Sequence, residues 1–67
     1  MTDVVTIHHC RKGGYCVSGV KKHCKTLGLD FVRLVKTGIP ISEIEHLNDA
    51  IVQRCIGIAR AEEADNG

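Results

Sequence analysis

Nothing in these 67 residues approaches the run of about 18 apolar residues that a membrane span requires. The opening segment, Met1 to Ile7, carries Asp3 where a secretory signal carries a base, and its apolar run ends at His8. The expectation is therefore a cytoplasmic protein, with its four cysteines as free thiols rather than two disulfides. Length is scarce too. A chain this short buries only about 60% of the surface its unfolded form exposes. A pocket of roughly 300 Å³, the minimum for a drug-sized ligand, is hard to enclose in one such core. This argues against a self-contained enzyme and for a protein that works by contact, with no cofactor. Tight metal knuckles of the C-x2-4-C or H-x3-5-H kind are also missing, since the cysteine gaps are C-x5-C and C-x7-C.

What is present is an uneven distribution of charge. The net charge is +1, yet residues 1–37 carry +5 and residues 38–67 carry −4. Such a chain offers a basic face to an acidic partner, protein or nucleic acid. The basic set is Lys21, Lys22, Lys25, Arg33 and Lys36, and these are the candidate partner-binding residues.

Glycines and the single proline divide the chain into four segments. In the first, two readings compete: a helical turn capped by Thr6 and stopped at Gly13-Gly14, or a strand through the β-branched run Val4 to Ile7. A lone strand has no visible partner within the chain, which favours the helix unless two chains meet. The second segment places Val17, Val20, Cys24 and Leu27 on one helical stripe ending at Gly28, with Lys21, Lys22 and Lys25 off it. The third begins at the N-cap Asp30, with Phe31, Leu34 and Val35 inward and Arg33 and Lys36 outward. Gly38 and Pro40 end it.

The fourth segment predicts one long helix beginning near Ser42 and ending near Ala61. Ser42 and Glu45 have capping-box spacing, and Ile44, Leu47, Ile51, Cys55 and Ile58 form a stripe. Residues 62–67 read as a frayed acidic tail, leaving 1–61 as a single helical domain. The expected fold is thus all-α, a bundle of three to four helices in which the long helix packs a helical hairpin. A second stripe, Val52, Ile56 and Ala59, exceeds what the short helices can cover and predicts a homodimer interface.

Candidate chemistry is thin. His8, His9, Cys10, Cys16, His23 and Cys24 crowd together, but their spacing fits no zinc signature, and Cys24 and Cys55 fall on apolar stripes as core thiols. His9-Cys10 and His23-Cys24 are sequence neighbours, so they point about 100° apart on a helix and form no thiol–base pair. Glu43, His46 and Asp49 read as a solvated face rather than a metal seat. The helix, turn and helix from Val17 to Thr37 follow the helix-turn-helix plan, but the second helix is short and offers no Asn, Gln or Ser to read bases.

The runs Gly14-Tyr15-Cys16-Val17-Ser18-Gly19-Val20-Lys21-Lys22, Gly28-Leu29-Asp30-Phe31 and Gly38-Ile39 resemble a group of short proteins encoded by tailed phages and prophages. The similarity spans about half the chain; the group often has an aromatic where Cys24 stands here. The group has no established activity, so the resemblance implies a small phage-type protein in a bacterial host cell and transfers no functional residue. Two readings follow: a non-enzymatic protein-binding module docking a host or phage protein through the basic face or the long helix, or a small DNA-binding regulator using the basic face.

Overall fold

The β-branched pair Val4–Val5 forms strand β1, and its partner is strand β2, Ile39–Pro40, in an antiparallel pair with Val4 opposite Pro40 and Val5 opposite Ile39. A strand does therefore form, and it finds its partner within the same chain, contrary to the expectation that none was available. Ile41 N–H donates to the Asp3 carbonyl at 2.7 Å, which continues the ribbon past its register. Between Val5 and Ile39 the chain turns at Gly38, whose φ of 88° suits glycine. A side chain there would also meet Thr6 Cγ2 and the Val5 carbonyl oxygen at 3.0 Å.

The computed structural model describes residues 3–66, with side chains to residue 63. After β1, Thr6 caps helix α1, Ile7–Lys12, so both readings of the first segment are realised, one after the other. Helix α2, Val17–Leu27, ends as expected at Gly28, which adopts the left-handed conformation while Leu29 N–H reaches back to the Cys24 carbonyl at 2.8 Å. Asp30 caps helix α3, Phe31–Lys36, its carboxylate accepting from Arg33 N–H. Leu34 is buried and Phe31 half-buried, but Val17 and Val35, expected inward, are exposed.

The long helix near 42–61 is not continuous. A single turn, α4, Ile41–Ile44, follows β2 with Pro40 at its N-cap, so the Ser42–Glu45 capping box does not form. The chain then breaks, and α5, Ala50–Asn66, begins afresh. Asp49 caps it: its carboxylate accepts from Val52 N–H at 3.0 Å and its carbonyl from Gln53 N–H at 3.0 Å. The Gln53 side-chain amide donates to the Glu45 and Leu47 carbonyls, satisfying groups the break leaves open. The α5 helix continues through residues expected to fray, as far as Asn66; Gly67 lies outside the described residues.

The core draws residues from both stripes of α5. Val52, Ile56 and Ala59, expected at a dimer interface, are only 6%, 2% and 4% exposed within one chain. Of the first stripe, Ile44 and Cys55 are buried, as expected, and Leu47, Ile51 and Ile58 are half-buried. Both β1 and α1 pack on α5, and they supply the cover that the hairpin alone could not. Among the described residues the fold is mostly helical, with five helices and one two-stranded ribbon, rather than strictly all-α. Its Cα radius of gyration, 10.9 Å, matches the value of about 11 Å for a compact chain of this length.

Candidate functional site

The basic residues on α2 fall off its buried stripe, Val20 and Cys24, and so project into solvent. The short turn at Gly28 brings α3 back beside them. Between the two helices lies an open groove of about 530 Å³, lined by Ser18, Lys21, Lys22, Lys25, Leu29, Asp30, Phe31 and Val32. Leu29 and Phe31 are half-buried, and Val32 is 55% exposed. Three ammonium groups thus border an apolar floor.

Only part of the expected basic set gathers here. Arg33 makes a bidentate pair with Glu43, at 2.9 and 2.7 Å, and is committed to joining α3 to α4. The Arg33 guanidinium holds the Glu43 carboxyl below its ordinary value, and Glu43 raises Arg33 in turn. Lys36 is exposed but lies outside the groove walls. Arg33 had no visible acidic partner in sequence, because Glu43 reaches it only once β2 reverses the chain.

The crowded histidines and cysteines disperse. His8 and Lys12 contact Glu62 Oε2 at 3.1 and 3.2 Å, and His9 Nε2 lies 3.6 Å from Glu62 Oε1. Hydrogen bonds from Lys12 and His8 lower the Glu62 carboxyl pKa. His23 Nε2 meets both Asp49 oxygens at 3.0 Å, tying α2 to the start of α5. Asp49 is held below its usual range by Val52 N–H and then by His23. The Glu43, His46 and Asp49 spacing therefore does not gather: two of the three have separate partners. Cys16 is exposed, its thiol pKa lowered by the Ser18 hydroxyl. Cys24 and Cys55 are buried free thiols, as is Cys10. Among the described residues, no group of three or more such side chains could hold a metal ion.

Two contacts were invisible in sequence. Glu62, assigned to a frayed tail, anchors α1 to α5. Cys10 and Cys55 bring their sulfurs to 3.4 Å although 45 residues separate them. Periodicity assigns Cys55 to a buried face, says nothing of Cys10, and cannot pair two faces.

No family model, curated protein or solved structure matches this chain. Among the described residues, no helix is long and apolar enough to cross a membrane.

Proposed function

We propose that this chain is a small non-enzymatic binding module that docks an acidic protein segment along the groove between α2 and α3. The observation that carries the reading is the pairing of Lys21, Lys22 and Lys25 with the apolar floor of Leu29, Phe31 and Val32. Such a surface suits a partner with carboxylates flanking one or two apolar anchors. Apolar contact would supply affinity, and the lysines would steer encounter and set register. The phage resemblance makes a host or virion protein the natural source of that segment.

The order of α2, a tight turn and α3 supports a second reading, a helix-turn-helix DNA contact, by fold analogy alone. Against it stand the six-residue α3 and the engagement of Arg33 by Glu43.

The test titrates isotope-labelled protein with a synthetic peptide alternating Glu and Leu, and in parallel with an arbitrary DNA duplex. Saturable shifts at Lys21, Lys22, Lys25, Phe31 and Val32 with the peptide support the module. Reversing all three lysines to Glu should abolish those shifts and leave the helical circular-dichroism signal intact, because none of the three is buried. Duplex binding that weakens by orders of magnitude between about 50 and 200 mM salt, with no peptide response, would replace the module by a phosphate reader.

A further inference from the structure

We propose that Cys10 and Cys55 are a covalent modification site, an oxidisable dithiol that hydrogen peroxide converts to a disulfide clamping α1 to α5. The two sulfurs lie 3.4 Å apart, one thiol donating to the other, and each comes from a different helix. Cys10 is 4% exposed and Cys55 3%, and both are free thiols. A covalent S–S bond is about 2.05 Å long, so closure needs movement on the order of 1 Å.

The site also has room for the oxidant. Beside the two sulfurs is a cavity of about 40 Å³, bordered by Cys10, Cys24, Cys55 and His23 among apolar side chains. A single water needs roughly 10–15 Å³ on the same scale, so a molecule the size of peroxide fits. Bulky disulfides do not.

The chemistry balances within the pair. Cys55 Sγ attacks one peroxide oxygen as its thiol gives up its proton; the O–O bond breaks, and the departing hydroxyl takes that proton to leave as water. Cys55 is then a sulfenic acid. Cys10 Sγ attacks Cys55 Sγ, the S–O bond breaks, and the leaving hydroxyl takes the Cys10 proton as a second water. Two thiols lose two electrons, and peroxide is reduced to two waters. The environment distinguishes the roles. Contact with Cys10 lowers the Cys55 thiol pKa, and Arg54 adds to this. The same contact, together with burial, raises Cys10, which keeps its proton until the second step. Burial raises Cys24, which leaves it a bystander.

The experiment uses the full chain carrying Cys16→Ser, which removes the exposed thiol that would also react. After peroxide treatment and alkylation, mass spectrometry should show a loss of about 2 Da, with the Cys10 and Cys55 peptides joined. The melting temperature should rise on the order of 10 °C and return to its starting value with dithiothreitol. Adding Cys24→Ala should preserve both the link and the rise, whereas Cys10→Ala or Cys55→Ala should remove both. Should those last variants not fold, peptide mapping of the Cys16→Ser chain decides alone. Recovery of Cys10 and Cys55 as separate peptides, or either joined to Cys24, overturns the proposal.

Discussion

His9 carries two duties through one ring. Its Nδ1 accepts the Thr6 N–H at 3.0 Å, the reach-back that Glu or Gln makes in an ordinary capping box, and its Nε2 faces Glu62. Accepting at Nδ1 places the neutral ring's proton on Nε2. Burial pushes its pKa below the ordinary 6.5, outweighing the opposing pull of Glu62, and the charges of His8 and Lys12 push the same way as burial. The unfolded chain then binds the proton more readily than the folded one. The His9 contribution to stability is complete above 6.5 and is lost as pH falls toward the lower folded value. Urea unfolding at about pH 7.5 and about pH 5.5 should show a lower midpoint at the acidic value, and His9→Gln, which can keep the cap without titrating, should reduce the difference. An equal difference in both proteins would remove His9 from the pH response.

Among the elements, the boundary between α4 and α5 shows what a stripe pattern conceals. Ile44, Leu47, Ile51, Cys55 and Ile58 keep helical spacing straight across it, but Asn48-Asp49 is a cap-prone pair. An Asp can satisfy orphan N–H groups at a new helix start, and here that outweighs continuing the old one. Asp49 also holds His23 of α2, so one carboxylate sets both the start of α5 and its docking. Asp49→Ala should cost about 1–2 kcal/mol in denaturant titrations, the range for a lost N-cap. Asp49→Asn, which still accepts from Val52 N–H, should recover most of it. An Ala variant as stable as the parent would mean that the break is fixed by Ile41 and Ile44 packing instead.

For the molecule as a whole, the placement of Val52, Ile56 and Ala59 decides how the chain uses its apolar surface. An area judged too wide for three helices is covered once α1 and the β ribbon close over α5. Val52→Asp should therefore bury an unpaired carboxylate and abolish the cooperative thermal transition seen by circular dichroism, rather than release a folded monomer. A folded, monomeric Val52→Asp variant that sediments lighter than the parent would restore the dimer interface. Helix type, the Gly28 stop, the Asp30 cap and the solvent-facing lysines were legible because each depends on residues within one turn of one another. The β1–β2 pairing, the Arg33–Glu43 and His23–Asp49 bonds, the Cys10–Cys55 contact and the role of Glu62 were not, since each joins segments ten or more residues apart. Local propensity and periodicity say which face of an element is apolar. They carry no information on which other face will meet it, and in a core this small the cover from α1 and the β ribbon is enough to bury Val52, Ile56 and Ala59 beside Ile44 and Cys55 while Leu47, Ile51 and Ile58 stay half-buried.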